Sequence, residues 1–326
     1  MSDQDNNQAE ENEPKTLKEA LEREEAEKRD ALSSNVEATV FEGVRTEKGD
    51  PVVPVKMGPK DMFNFRCHKG VSCWNECCHG ADITLTPYDI LKLAEHFKIR
   101  PAQFVATYAV PAFHEGSNLP VAKLVMTGKE GDGPCVFMDK ETGCTVYGAR
   151  PATCRYYPLG LGAVKFKGHK EREDMHFLVR EEHCKGHDEE NLQSVDAYRK
   201  EQGVEPYDLL NERWIDILMK MASWRSMGGP EGKDVPKQTK QMFYMICTDI
   251  DRFRSFVFDT RFLDTYEIDD DMIESLKFND ETLLQLGFDW MLTIMFNEPR
   301  LIMKEAVLQK SIVKARDEMG ISGDKE

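Results

Sequence analysis

The chain has 326 residues with 59 acidic and 43 basic side chains, so its formal net charge is −16. This length suits two domains, or one domain with extensions, and it can bury a core without disulfide bonds. The ordinary glycine and proline content excludes a collagen-like or wholly disordered chain, and the acidic balance argues against a protein that coats nucleic acid.

The N-terminal sixth of the chain holds half of the net charge. Residues 1–50 contain 15 acidic and 7 basic side chains, a net charge of −8, and very few large apolar side chains. Such a segment cannot bury a core, so the sequence predicts a mostly disordered acidic tail over 1–50. Within it, residues 14–32 could form a solvated helix. A docking arm for a protein partner is the alternative interpretation.

Neither a secretory signal nor a membrane span is visible in the sequence. Residues 1–5 are acidic and polar, without the basic and apolar regions of a signal peptide. No run of residues approaches the roughly 18–20 apolar residues of a spanning helix. We therefore expect a cytoplasmic protein with no membrane partner, in a compartment that keeps thiols reduced.

Residues 60–187 form a cysteine-rich domain in which two helices interrupt the cysteines. The first helix begins after Thr86, because Thr is a good N-cap, Pro87 suits the first turn and Asp89 follows three residues after the cap. The second helix begins near Pro101. Short apolar runs separated by glycine-rich turns predict strands over 121–126, 135–138, 143–147 and 176–180.

Residues 204–326 have the apolar spacing of helices. One stripe runs from Leu210 to Met221, a second from Met242 to Val257 and a third from Asn279 to Phe296, where Asn279 is a predicted N-cap. The segment 223–237, rich in glycine and proline, reads as a loop. Cys247 stands alone on the second stripe and is predicted to be a buried apolar thiol.

The other eight cysteines carry the chemistry of the sequence. An odd total of nine excludes a fully paired intramolecular disulfide set, and clustered cysteines in a reducing compartment are more often metal ligands or catalytic thiols. Sulfur ligands select zinc or iron–sulfur clusters over hard cations. The candidate metal ligands are Cys67, Cys73, Cys77, Cys78, Cys135, Cys144, Cys154 and Cys184.

The adjacent pair Cys77-Cys78 bears on how many metal sites there are. On an extended backbone neighbouring side chains point apart, so the two sulfurs serve two irons of a cluster, or two separate sites, more easily than one ion. Eight sulfurs would fill two four-cysteine sites, or one cluster with spare thiols. The spacing leaves both arrangements open.

Charged neighbours of the cysteines are candidate cofactor-binding residues. Four thiolates around a metal leave net negative charge, which the guanidinium groups of Arg150 and Arg155, flanking Cys154, would offset. Three histidines, His68, His79 and His183, each adjoin a cysteine and are possible ligands.

Several motifs together resemble the YkgJ-type cysteine-cluster family, which is described as a zinc- or iron-chelating domain. The motifs are Phe65-Arg-Cys67, Cys77-Cys78, Ile83-Thr-Leu-Thr-Pro-Tyr-Asp89, Gly133-Pro-Cys135, Gly143-Cys144-Thr-Val-Tyr147, Arg150-Pro151 and Cys154-Arg-Tyr-Tyr-Pro158. They cover roughly residues 63–187. The resemblance implies metal ligation by the first seven candidate cysteines. The chain departs from the family in the wider spacing of its first group, and the ligand role of Cys184 rests on its location.

The sequence therefore predicts an α+β protein: an irregular cysteine-rich metal-binding core with helices and a small β-meander, plus a C-terminal α-helical extension. The predicted cofactor is an iron–sulfur cluster with a redox or maturation role, with zinc as the alternative. Two other functions stay open, a zinc-stabilised binding module and a metal-dependent protein methyltransferase. The latter follows from a likeness to the cysteine-rich part of flagellin lysine methylases. No Walker A or G-x-G-x-x-G motif is present, so nucleotide binding has no support.

Overall fold

A computed structural model of the chain describes residues 36–41, 56–129, 131–166, 173–226 and 235–318. The predicted acidic tail lies outside these residues except for one strand, Val36–Phe41, and so does the possible helix over 14–32. This strand pairs with the middle of the chain, where Val40 lies opposite Ala163.

The strands form four small antiparallel sheets. The largest joins β1 to two later strands in the order β1-β8-β9, and a second three-stranded sheet has the order β3-β5-β4. Two-stranded sheets pair β2 with β10 and β6 with β7. The strands are β1 (Val36–Phe41), β2 (Met62–Asn64), β3 (Thr84–Leu85), β4 (Ala109–Phe113), β5 (Pro120–Leu124), β6 (Met138–Asp139), β7 (Gly143–Cys144), β8 (Leu159–Phe166), β9 (Glu173–Leu178) and β10 (Leu192–Ser194).

Helices alternate with these strands along the chain, and most of the helices lie in its C-terminal part. The helices are α1 (Pro87–Phe97), α2 (Pro101–Tyr108), α3 (Ala152–Tyr156), α4 (Val195–Gln202), α5 (Glu205–Ser226), α6 (Lys237–Thr248), α7 (Ile250–Asp259), α8 (Phe262–Thr265), α9 (Asp270–Leu276), α10 (Asp280–Phe296) and α11 (Glu305–Glu318). The α+β fold class is confirmed. No helix in the described ranges is both long and apolar enough to cross a bilayer.

The first predicted helix has the cap that its sequence indicates. The Thr86 side chain accepts a hydrogen bond from the backbone of Asp89, whose carboxylate accepts one from the backbone of Thr86. Ile90 and Leu93 are buried on one face of α1. The second helix starts at Pro101 as predicted, and Asn279 caps α10 through a bond from the backbone of Thr282.

The C-terminal helices pack on the cysteine-rich domain around one apolar core. Phe243, Phe253 and Phe288 are fully buried in this core together with Trp214. Leu119, Val121 and Ala163, all from the cysteine-rich domain, belong to the same cluster of buried side chains. Because apolar burial is the dominant favourable term in such packing, the extension is docked on that domain.

Two features of the helical part differ from the predicted elements. The stripe from Met242 to Val257 is divided between α6 and α7 at Asp249, whose side chain caps the second helix by accepting from the backbone of Arg252. Helix α5 continues to Ser226, past the start of the predicted loop. Within the cysteine-rich domain, the predicted strand over 135–138 is reduced to an isolated bridge at Cys135 followed by β6.

Candidate metal centre

The eight candidate cysteines lie in loops, short strands and short helices of the cysteine-rich domain. All of them are free thiols. Four of them line one cavity and three others pack on one apolar cluster, which defines two neighbouring groups. Cys77 interacts electrostatically with both, with Cys67 on one side and with Cys144 and Cys154 on the other. We call Cys67, Cys73, Cys77 and Cys184 the outer group, and Cys78, Cys135, Cys144 and Cys154 the inner group.

The outer group surrounds one small cavity. Its four cysteines line a space of about 10 Å³, which is room for roughly one water-sized sphere. The remaining walls come from Phe65, Tyr157, His183 and Gly186. The cavity brings together cysteines from two regions of the chain that are more than a hundred residues apart.

Backbone hydrogen bonds hold these two regions together. Arg66 N–H donates to the carbonyl of Gly186 at 3.0 Å, which places the residue before Cys67 beside the segment after Cys184. Lys185 N–H donates to the sulfur of Cys73 at 3.1 Å. The structure therefore places Cys184, the cysteine outside the recognised motifs, in the same cavity as Cys73.

The inner group lies against the apolar core of α1, α2 and β5. Cys135, Cys144 and Cys154 all pack on this cluster, which includes the buried Phe137 and Val146. Cys144 is in β7, paired opposite Met138. The inner cysteines are thus placed by secondary structure and by apolar packing.

Cys78 joins the inner group through its backbone, because Cys135 N–H donates to the Cys78 carbonyl at 2.7 Å. Cys77 and Cys78 lie in a single turn of 3₁₀ helix, Glu76–Cys78, that follows Asn75 with a left-handed backbone. The pair is therefore not on the extended backbone for which the sequence argument was made, and the two side chains hydrogen-bond to each other. The pair connects the two groups.

Backbone N–H groups point at four of the sulfurs. Besides Cys73, three cysteines accept a hydrogen bond from the residue two positions ahead: Phe137 donates to Cys135 at 3.5 Å, Val146 to Cys144 and Gly186 to Cys184. A hydrogen bond to the charged form of a group stabilises that form. These turns are therefore suited to hold thiolates.

Burial raises the pKa of thiols in both groups and so favours their neutral form in the metal-free chain. Burial, followed by the nearby thiols of Cys77, Cys73 and Cys184, raises the pKa of Cys67 to about 11. Burial is also the largest cause of the raised pKa of Cys154, and Cys135 and Cys144 contribute to it. The pKa of Cys77 is raised well above its ordinary value, first by the side-chain hydrogen bond with Cys78 and then by burial.

Arg150 lies close to both groups of thiols. Its positive charge lowers the pKa of Cys67 and of Cys144, one from each group, although burial dominates and both values remain raised. The guanidinium donates to the side chain of Gln202 and lies 4.0 Å from the centre of the Tyr147 ring. Its Nε–H is buried and has no hydrogen-bond partner in the described part of the chain.

Arg155 has a different set of contacts. Its guanidinium donates to the carbonyls of Arg150, Gln202 and Gly148 and lies 4.7 Å from the centre of the Tyr207 ring. These hydrogen bonds connect the segment 148–150, which precedes Cys154, to Gln202 at the end of α4. The role of Arg155 toward a cofactor stays a prediction.

Of the three candidate histidines, His183 alone lines the outer cavity. Its Nε2 lies 3.5 Å from the carboxylate of Glu181. His68 Nε2 lies 3.0 Å from Glu189, and His79 Nδ1 lies 3.1 Å from the carbonyl of Asn75. The ninth cysteine, Cys247, is buried in the core of the helical extension, as predicted.

Two residues near the cysteines were not predicted from the sequence to belong to the site. Tyr157 lines the outer cavity, and its hydroxyl hydrogen-bonds with Cys184 and donates to Glu181 at 2.8 Å. Trp74 packs on Gly143, where a Cβ atom would come within 2.8 Å of the ring and the backbone has φ +85°. Its indole N–H is buried and unpartnered among the described residues.

The sequence also did not predict that Asp89 has a second hydrogen-bond partner besides the cap of α1. One carboxylate oxygen completes the cap of α1, and the other accepts from the backbone of Ala152 at 2.8 Å, at the start of the helix that carries Cys154. The side chain is fully buried, and this burial raises its pKa to about 6 against the opposing effect of its hydrogen bonds. The spacing Thr86-x2-Asp89 in the sequence predicts the helix cap, but it does not predict the bond to Ala152.

The donor chemistry of both groups fits a soft metal. The groups offer sulfur, N–H donors directed at sulfur and one nearby guanidinium, which together suit thiolates around a cation. Within the described residues, no three His, Cys, Asp or Glu side chains are already arranged closely enough to hold an ion. Filling a group therefore requires its thiols to turn toward a common point.

Comparison with known proteins agrees with this donor set. Residues 66–190 match the family model described as "CxxCxxCC: Putative zinc- or iron-chelating domain". The match confirms the resemblance stated from the motifs, and it includes all eight cysteines of the two groups. No curated protein and no solved structure matched the chain.

Proposed function

We propose that this protein binds metal through the eight sulfurs of the outer and inner groups, and that it carries iron in an iron–sulfur cluster with a redox or maturation role. The observation that carries the proposal is the placement of four cysteines around one cavity, beside a second group whose sulfurs accept backbone N–H bonds. Both groups lie in the part of the chain that matches a chelating domain.

The arrangement of the sulfurs supports thiolate ligation over a structural role for neutral thiols. A buried neutral thiol behaves as a small hydrophobe, and Cys247 in the helical core has the side chain of Trp214 as its hydrogen-bond donor. Cys73, Cys135, Cys144 and Cys184 instead have backbone donors directed at them. When a metal is bound, it holds these sulfurs as thiolates, and the backbone bonds stabilise the added negative charge.

Three features favour iron–sulfur chemistry. Eight sulfurs exceed what one mononuclear site needs, and the contact between Cys77 and Cys78 joins the two groups. Arg150 has a buried Nε–H without a partner in the described residues, near thiols of both groups. A bound cluster supplies one-electron redox chemistry, and hydrogen bonds to its sulfurs are among the factors that set its potential.

Zinc is the second candidate, and the size of the outer cavity favours it. A space of about 10 Å³ between four sulfurs suits a single ion better than a cluster of several irons. Zinc held by four cysteines is a common structural site whose binding free energy stabilises the fold. In this case the protein is a zinc-stabilised module without redox chemistry.

Metal analysis and the visible spectrum of the full chain, purified without oxygen, decide between the two. We expect iron and sulfide in the protein and broad visible absorbance that bleaches on reduction. Cys144→Ser should lose at least about half of the metal, since it removes one of four ligands of a group. The matched control, Cys247→Ala, removes a thiol from the helical core and should keep the full metal content. Colourless protein with full zinc occupancy contradicts the iron–sulfur form, and protein without any metal contradicts the whole proposal.

Metal binding is expected to tighten as the pH rises through neutrality. The raised pKa values of Cys67, about 11, and of Cys154 keep both thiols protonated at pH 7 in the metal-free chain. A metal must displace these protons, so binding releases protons and its affinity increases with pH up to the pKa of the thiols. Calorimetric titration of metal-free protein in two buffers of different ionisation enthalpy measures the number released. A count of zero, with affinity constant from pH 6 to pH 8, would contradict thiolate ligation.

A further inference from the structure

The two groups of cysteines differ in how firmly the surrounding backbone is held. In the inner group, Cys144 is in a paired strand and Cys135 forms a bridge with Met126. Cys154 is in α3, whose first turn is bonded to the buried carboxylate of Asp89. Opening this group would break these hydrogen bonds and expose the apolar cluster behind them.

The outer group is carried by exposed loops. Cys67 and Cys77 are exposed residues, whereas Cys73 and Cys184 are partly buried, as are all four inner cysteines. The residues on either side of Cys184, His183 and Lys185, are also exposed. A small molecule in solvent can therefore approach the outer group at Cys67 and Cys77 without unfolding of the apolar cluster on which Cys135, Cys144 and Cys154 pack.

We infer that the two groups divide their tasks: the inner group retains its metal as part of the fold, and the outer group exchanges its metal with an incoming thiol. This inference rests on the proposed eight-sulfur metal centre, with one metal site in each group. Local opening free energies within one protein range from near zero in exposed loops to the global value in cores. Metal exchange that requires local opening of the backbone should therefore be faster from the outer group than from the inner group.

The exchange is a ligand substitution without electron transfer. The bond between the metal and an outer-group sulfur breaks as a bond from the metal to the sulfur of the incoming thiol forms. The proton of the incoming thiol passes to the released cysteine thiolate, so atoms and charge balance. Cys67 and Cys77 are the first sulfurs to be displaced, because they are the exposed members of the group.

Release kinetics from the metal-loaded full chain test this division. The purified protein is mixed with glutathione as the incoming thiol and with EDTA as the final acceptor, and the protein-bound metal is measured over time by mass spectrometry. We expect two phases of similar size, with the second slower by about 100-fold or more. Cys184→Ser should remove the fast phase, and Cys247→Ala should keep both phases.

Alkylation provides a second measurement that does not depend on the folding of a variant. Iodoacetamide added at the end of the fast phase should modify peptides that contain Cys67, Cys73, Cys77 and Cys184 and leave those with Cys135, Cys144 and Cys154 unmodified. Loss of all metal in one phase, or early modification of the inner peptides, overturns the division. Protein that contains no metal before the experiment overturns the proposed function itself, so the two failures are distinguishable.

Discussion

Replacing Asp89 by alanine is expected to lower the free energy of unfolding by about 3 kcal/mol, because it leaves two buried backbone N–H groups without acceptors. These belong to Thr86 and Ala152, each bonded to the carboxylate at 2.8 Å. Thermal unfolding should show a transition midpoint lowered by several degrees. Because the bond to Ala152 places the helix of Cys154, the metal content of the variant should also fall.

The matched control for Asp89→Ala is Asp82→Ala. Asp82 has an exposed carboxylate paired with Lys123 at 2.7 Å, and such surface pairs contribute at most about 1 kcal/mol. Asp82→Ala should therefore keep both the transition midpoint and the metal content. If the two variants behave alike, Asp89 does not connect the cap of α1 to the cysteine site in the way proposed.

Removal of the metal is expected to unfold the cysteine-rich domain while the helical core stays folded. Strands β3, β6 and β7 have two residues each, too short to be stable by themselves. The binding free energy of a structural metal is folding free energy, so the domain should lose more than about 10 °C in its transition midpoint on chelation. Most residues of the buried core around Phe243, Phe253 and Phe288 come from the helical extension, so this core should persist when the cysteine-rich domain opens.

Hydrogen exchange measured with and without chelator tests this expectation and locates its effect. Peptides from residues 131–166 should lose protection when the metal is removed. Peptides from residues 280–296 lie in the helical core, serve as the internal control and should remain protected. Equal protection of residues 131–166 in both samples would show that the fold does not need the metal.

Local sequence signals predicted local structure well. The Thr86-Pro87-Asp89 cap, the helix start at Pro101 and the Asn279 cap all depend on residues within one turn of each other, and all are confirmed. The break at Asp249 was missed, because α6 and α7 bury their apolar residues in the same core. The apolar spacing therefore continues across the break and hides it.

The clustered cysteines of the sequence already indicate the kind of site, because sulfur ligands select soft metals whatever the fold around them. The sequence could not determine which cysteines belong together. Cys67 and Cys184 share a cavity across more than a hundred residues, and Cys77 and Cys78 contact each other in a helical turn. These partners are set by contacts between distant segments, as are the different surroundings of Arg150 and Arg155 and the second hydrogen bond of Asp89. Such contacts depend on loop closure and packing between distant segments, which no local pattern of residues encodes.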